Sequence, residues 1–355
     1  MKRLKFILLF LNIVVVVLTL LSCLSPYINP QEMWYFSFFG LAFIYLVLLN
    51  IIFIVLWIFI DIKKVILSLL VLLVSIGQIR KTVAFSFGND KKDQIEKTVK
   101  VMSYNLNQGM YLHKNKKKSG ALARYINKQN AGILLVQELN SRNLNEVKKK
   151  LNFKYKYTEG SFGAGIYSNY KIVNKGLIKF GSLNTNSCLW ADIKISDDTV
   201  RVYSVHFMSN HISQKAEELV AEMEKKKNLT SGKIKDVLRN YKKFVRKRVE
   251  QVEKVKKHVE NSPYPVILGG DFNDPPVSYT YNRFPEILKD AFLEKGWGLG
   301  ITYAGTVPLL RIDYILVSKP VRVYRFRVDK TEQFSDHYPV IARVGFAKNV
   351  ARRRR

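Results

Sequence analysis

The sequence predicts a layered α/β sandwich carried behind two to three transmembrane helices. Three observations lead there. Charge is divided sharply along the chain. The first 80 residues contain apolar runs of bilayer length. The remainder alternates short Val-, Ile- and Tyr-rich runs with helical stretches, a mixture that defines an α/β arrangement in one large domain.

The charge division comes first. Of 58 Lys and Arg and 28 Asp and Glu, residues 1–80 hold six and two, which leaves 52 and 26, a formal +26, for the rest. The chain has 355 residues, enough for one large domain or two ordinary ones, and its 48% hydrophobic content excludes a disordered protein. Two cysteines, Cys23 and Cys188, exclude a disulfide-rich scaffold and a Cys-built zinc site.

The apolar runs are residues 4–24, 34–60 and 65–79. About 20 apolar residues cross a bilayer, so the first two suffice. The third is short and reads either as a span, with Lys64, Arg80 and Lys81 snorkelling, or as a re-entrant or buried helix. Lys2, Arg3 and Lys5 precede the first run, the loop 25–33 carries no Lys or Arg, and Lys63 and Lys64 follow the second run. The positive-inside rule puts the N-terminus and the second loop in the cytoplasm. Three spans leave the polar domain outside the cytoplasm, two leave it inside. The expected location is a membrane, with the polar domain extracytoplasmic. Leu20-Leu21-Ser22-Cys23 also has the outline of a lipoprotein signal, against the plainer reading of a cysteine within a transmembrane helix.

Residues 1–80 are thus expected to be an anchor, 81–98 a linker, 99–347 the polar domain and 348–355 a basic tail. Strands are expected at 99–104, 133–137, 164–168, 189–195, 200–206, 265–269, 312–317, 322–328 and 338–344, and a helix at 119–130. Residues 214–260 read as two helices broken near Asn228. In the second, Leu238, Tyr241, Val245, Val249, Val252, Val255 and Val259 recur at steps of three and four, one apolar stripe against the body. The Lys and Arg of its other face read as a solvated surface in preference to a polyanion-binding one.

Chemistry-bearing residues collect at strand ends: Asn105 in Ser-Tyr-Asn, Glu138 in Val-Gln-Glu, His206 in Ser-Val-His, Asp271 and Asn273 in Gly-Gly-Asp-Phe-Asn, Asp313 in Arg-Ile-Asp-Tyr, Asp336 and His337 in Ser-Asp-His. Singly, each has a plain structural reading as a surface carboxylate, a turn or a packed histidine. Together they fit metal-assisted attack on a phosphoester. Oxygen ligands hold a Mg²⁺-type ion, a carboxylate activates water, and a cationic His with Asn stabilises the charged transition state.

The blocks Ser-Tyr-Asn105, Gln137-Glu138, Gly270-Asp271-Phe272-Asn273, Arg311-Ile312-Asp313-Tyr314 and Ser335-Asp336-His337 resemble, in order, those of the endonuclease/exonuclease/phosphatase superfamily with its DNase I-like fold. The apolar runs ahead of them resemble membrane-anchored bacterial members. The resemblance implies a four-layer α/β sandwich of two packed mixed sheets with the site at one edge. It implies that Glu138 binds the metal with Asn105 beside it and that Asp336 supports the metal or its water shell. It further implies that Asp271 activates or orients water and that Asn273 holds the scissile phosphate. His337, paired with Asp313, contacts a phosphate oxygen, and His206 lies near the phosphate. The implied cofactor is Mg²⁺, with Mn²⁺ or Ca²⁺ as alternatives.

Two departures narrow the substrate. Asn107 stands where some nuclease members carry a metal-assisting Asp. The Gly-Asp-Leu-Asn-Tyr-Arg and Trp-Cys-Asp-Arg blocks of inositol-polyphosphate 5-phosphatases are missing. The expected activity is a membrane-anchored phosphodiesterase, nuclease-like on a nucleic-acid partner that the basic domain would attract. The alternatives are a sphingomyelinase-like phospholipid phosphodiesterase and a catalytically inactive polyanion-binding module. No protein partner is expected.

Overall fold

The computed structural model describes residues 2–86, 98–112, 116–139, 141–159, 163–181, 186–209 and 231–346. The chain forms two compact units: residues 1–83 with 274–282, and residues 84–273 with 283–355.

The first unit is helical. α1 (Lys2–Leu24) and α2 (Phe36–Ile60) are each long and apolar enough to cross a membrane. The third apolar run forms α3 (Val65–Val74) and α4 (Ile76–Thr82), bent by 62° at Ser75. There the Ser75 hydroxyl donates back to the Val71 carbonyl at 2.7 Å, a bond that bends helices. The pair is one broken span or a re-entrant loop by length and composition.

The unit buries polar side chains among its apolar ones and exposes a largely apolar exterior. Asn12 donates to Ser68 Oγ at 2.7 Å and accepts from Trp57 Nε1 at 2.9 Å, while Asn50 donates to Thr19 Oγ1 at 2.8 Å. Cys23 Sγ donates to Ser75 Oγ at 3.2 Å. Phe6 and Phe59 point outward. Interhelical hydrogen bonds of this kind hold helices together where lipid supplies no hydrophobic drive. Residues 274–282 belong to this unit: Val277 is buried against Phe43 and Val47. A Cβ at Gly40 would overlap the Val277 carbonyl, so glycine permits that approach.

The second unit carries two six-stranded mixed sheets. Its strands are β1 (Ala84–Phe85), β2 (Thr98–Asn105), β3 (Ile133–Gln137), β4 (Tyr155–Thr158), β5 (Gly165–Ser168), β6 (Lys171–Lys179), β7 (Ser187–Ile195), β8 (Asp198–His206), β9 (Val266–Asp271), β10 (Leu288–Asp290), β11 (Trp297–Gly298), β12 (Asp313–Ser318), β13 (Val321–Val328) and β14 (Val340–Phe346). One sheet runs β10-β12-β9-β8-β7-β6 and the other β13-β14-β2-β3-β5-β4, with β1 paired to β11. Alternation decides the packing. Val99 and Val101 of β2 enter the core between the sheets with Leu189, Val202, Ile267, Ile315 and Val344. Met102 and Tyr104 turn outward to meet α5 (Lys116–Lys128) and α6 (Asn145–Lys150) through Leu122, Ile126 and Val147. On the other sheet, α7 (Ser231–Glu260) buries Tyr241, Val245, Val249, Val252, Val255 and Val259. Its Arg248 and Gln251 hold the backbone of Met208, just past β8. Helix, sheet, sheet, helix makes the four-layer sandwich.

All nine expected strands form. β4 and β6 were not legible because both are edge strands with largely exposed side chains, so neither shows a burial period. Leu238, expected in the α7 stripe, is 39% exposed and precedes the buried stretch. Within 81–98, Lys81 and Thr82 close α4, Ala84 and Phe85 form β1, and Thr98 opens β2, while 87–97 lie outside the described residues. The expected helix before Asn228 and the basic tail also lie outside them.

Candidate active site

The site is assembled by register at the ends of both sheets. In the first sheet His206 ends β8 directly opposite Asp271 at the end of β9, and Asp271 faces Asp313 at the start of β12. In the second sheet Asn105 ends β2 opposite Gln137, one residue before Glu138. His337 joins through a bridge to Tyr303 just before β14.

Two local features aim the carboxylates. Gly270 has φ +150°, and a Cβ there would overlap the Val205 carbonyl, so only glycine lets β9 lie this close to β8 ahead of Asp271. Glu138 has φ +56°, left-handed for a residue without glycine's freedom. Strain of this kind costs about 1–3 kcal/mol and survives where surrounding structure enforces it, typically at functional sites.

Asp271 is the hub. Its Oδ2 accepts from Asn105 Nδ2 at 2.9 Å and Asn273 Nδ2 at 3.1 Å, and its Oδ1 accepts from the Asn273 backbone N–H at 2.8 Å. The Nε2 atoms of His206 and His337 lie 3.8 and 3.9 Å from Oδ2. Burial pushes the Asp271 carboxyl up, to about 6, against the pull of His337 and His206.

His337 is held from behind. Its Nδ1 lies 2.9 Å from Asp313 Oδ2, and Asp313 is in turn fixed by its backbone N–H donating to Thr302 Oγ1 at 3.1 Å. Burial lowers the imidazolium, but Asp313, Asp271 and Asp336 outweigh it and raise it to about 10. The ring is therefore a cation at neutral pH, with Nε2–H free of the Asp313 bond. Asp336 Oδ1 is 4.0 Å from His337 Nε2 and accepts from Ser335 Oγ at 3.2 Å.

Glu138 lies across the cluster. Its Oε1 is 3.3 Å from Asn105 Nδ2 and 3.6 Å from His206 Nε2. Asn105 thus bridges the two carboxylates, and its own Oδ1 accepts from the Asn107 N–H at 2.9 Å. His206 is positioned by Asn186, whose Nδ2 is 3.3 Å from Nδ1. His206 Nε2 and Asp313 Oδ1 are buried without a hydrogen-bond partner among the described residues, so the cluster has polar capacity for a ligand.

All eight expected residues fall into this one network. Asn273 differs in detail: both hydrogens of its amide are occupied, by Asp271 and by the Phe207 carbonyl at 2.9 Å, so here it orients Asp271. Asn186 and Thr302 carry no sequence signal, and Ser335 was legible only as part of the Ser-Asp-His block. Asn186 becomes visible only once Ser187 is known to pair with His206.

The donor set fits a hard divalent cation. One buried group, Asp271, Asp313 and His337, has ligand atoms within 4.8 Å of one another. There the His337 imidazolium already supplies positive charge. Glu138, with its side chain 22% exposed, presents carboxylate oxygens beside Asn105, the hard-donor chemistry such a cation takes.

Two packed mixed sheets with an acid–imidazole–amide edge define a metal-dependent phosphoester hydrolase of DNase I-like fold. The profile of the Endonuclease/Exonuclease/phosphatase family matches residues 102–337, and the chain belongs to that family. A domain of unknown function, DUF8431, matches residues 5–82. Among solved structures, D. rerio TDP2 complexed with single strand DNA product is similar with TM-score 0.53 at 16% identity, over 70% of this chain and 100% of that one. An endonuclease/exonuclease/phosphatase family protein from Bacteroides thetaiotaomicron gives 0.52 at 20%, over 71% and 98%. Truncated Caenorhabditis elegans TDP2 gives 0.51 at 19%, over 72% and 100%. At these identities the likeness is one of fold. A search of curated proteins gives no match.

Proposed function

We propose that the chain is a membrane-anchored, Mg²⁺-dependent phosphodiesterase that cleaves nucleic acid. The observation that carries the chemistry is Asp271, buried, fixed by two asparagine amides and flanked by both imidazoles. Glu138, with Asn105 beside it, is the residue to hold the cation, with Asp336 supporting its water shell. When bound, the cation would neutralise a phosphoryl oxygen. Asp271 Oδ2 accepts the proton of the attacking water. The new P–O bond forms as the bond to the leaving oxygen breaks, and that oxygen takes a proton from solvent. His337 presents its Nε2–H to the phosphoryl oxygens as negative charge builds, and His206 Nε2 offers a second contact.

The formal +26 beyond residue 80 supports a polyphosphate strand as the substrate. The single strand DNA product named for the similar D. rerio TDP2 structure supports the same choice. A phospholipid substrate is the second reading, favoured by the apolar exterior of the helical unit, which would hold the enzyme at a lipid surface. An inactive binding module would not need His337 within 2.9 Å of Asp313.

The test is the full chain in uncharged detergent, assayed with Mg²⁺ or EDTA on linear DNA, RNA and sphingomyelin vesicles, with Asp271→Asn as control. Metal-dependent cleavage of nucleic acid that the variant loses supports the proposal. Phosphocholine release alone moves the enzyme to lipid. Silence on all three substrates, with the chain folded, overturns both.

A further inference from the structure

A second cluster of charge lies on the outer face of the β13-β14-β2 edge, away from the catalytic end. Register puts Arg343 of β14 directly opposite Lys100 of β2 on one side and Arg325 of β13 on the other. Arg327 follows two residues along β13 on the same face. The alternate residues Val99, Val101, Phe326, Ala342 and Val344 are buried between the sheets, which forces the cations outward. Farther along this outer face, Met102 and Ile341 are covered by the helical layer.

Neighbouring strands are about 4.8 Å apart, and like charges placed directly opposite destabilise a sheet. Three cations in one row are therefore a cost to the fold. Among the described residues only Arg327 of the four has a carboxylate partner, Asp329 at 3.1 Å. The cations are also pre-set. Gln129 accepts from Lys100 Nζ through its carbonyl at 2.6 Å and from Arg327 Nη2 through its side chain. Burial, then Arg343, Arg327 and Arg325, lower the Lys100 ammonium from its usual range, so its neighbours are felt at close range.

Between them is a cavity of about 270 Å³ lined by Lys100, Arg325, Arg327, Ile341 and Arg343. A second cavity of about 470 Å³ shares Lys100 and Arg343 and extends over Asn130, Asn169 and Tyr170. Lys100 is five residues before Asn105 on β2, about 16 Å at roughly 3.3 Å per residue, so this is not the catalytic edge.

We propose that this row is a second, non-catalytic anion site that takes a free phosphoanion of diphosphate size carrying at least two negative charges. Guanidinium groups match phosphate oxygens with paired N–H donors, and the anion would cancel the repulsion across the three strands.

The experiment measures inorganic pyrophosphate binding to the full chain in uncharged detergent with EDTA, by calorimetry and thermal midpoint, against sodium chloride and sodium sulfate at matched ionic strength. Pyrophosphate should bind and raise the midpoint beyond either salt. Arg325→Gln/Arg343→Gln should weaken binding at least tenfold, keep phosphodiesterase turnover, and melt no lower than the parent without anion because repulsion is relieved. Asp271→Asn should bind pyrophosphate unchanged. Equal effects of chloride, sulfate and pyrophosphate, unchanged binding in the double variant, or loss in Asp271→Asn would each overturn the site. Failure of catalysis alone would leave these readouts intact.

Discussion

The Nδ1 of His337 lies 2.9 Å from Oδ2 of Asp313, and this pairing makes a buried imidazole a cation. A neutral ring in the same place could not offer a full positive charge to a phosphoryl group. The pairing also fixes which nitrogen is turned toward Asp271.

Replacing Asp313 by Asn should therefore shift the alkaline limb of the pH–rate profile. The charged form of His337 persists below about 10 in the parent and is lost as pH rises through that value. With the carboxylate gone, the imidazolium is lost at lower pH, so the alkaline limb moves down by a unit or more, one unit being about 1.4 kcal/mol of lost interaction. A profile with an unmoved alkaline limb would contradict the role given to Asp313.

Asp271→Asn should cost about 10²- to 10⁴-fold in kcat, the scale of a lost general base. In the parent the acid limb belongs to Asp271, which must be ionised to accept a proton. Burial raises it, so activity is present above about 6 and falls as pH drops through that region. Unchanged turnover in the variant would remove Asp271 from the chemistry.

Asn105→Ala should lower both activity and stability. Its amide bridges Asp271 and Glu138, and the change takes one of two amide donors from the buried Asp271 Oδ2, at about 1–3 kcal/mol for a buried group left short of a donor, and the amide contact from the part-exposed Glu138. The positioning role predicts a fall in kcat with a smaller change in KM, together with a rise in the metal concentration needed for half-maximal rate. A loss of midpoint alone, with kcat and metal demand preserved, would make Asn105 merely structural.

Gly40→Ala should loosen the seat of residues 274–282, since the added Cβ has no room beside the Val277 carbonyl. Overpacking of this kind costs about 1–3 kcal/mol. The thermal midpoint in detergent reads it directly, and limited proteolysis should cut 274–282 sooner than in the parent.

For topology, a reporter fused after Arg355 should be active outside the cytoplasm if the bent α3–α4 pair spans as one element. A reporter active only inside would make that pair re-entrant.

Much of this was readable from residue order. Short Val-, Ile- and Tyr-rich runs bounded by Gly, Asn or Asp marked the central strands of both sheets, because strands buried on both faces read as near-continuous apolar runs. The eight residues of the site were visible as polar side chains ending apolar runs. The division of the chain into an apolar helical unit and a basic sandwich was legible from where charge falls along the chain. Edge strands such as β6 escaped, since exposed residues carry no such trace. The bend at Ser75 escaped as well, because one hydroxyl among apolar residues gives no pattern.

What only the tertiary structure decided was register and partnership. Residues 274–282 follow the Gly-Asp-Phe-Asn motif in sequence, yet Val277 packs with Phe43 and Val47. Arg325, Arg343 and Lys100 are remote in the chain, and only strand pairing sets them in one row. Asn105 reaches Asp271 across 166 positions because two sheets end at a common edge. Local periodicity fixes which way a side chain faces. Which side chain it meets depends on long-range pairing, where a shift of one residue reverses every face, and that is settled only when the whole core packs.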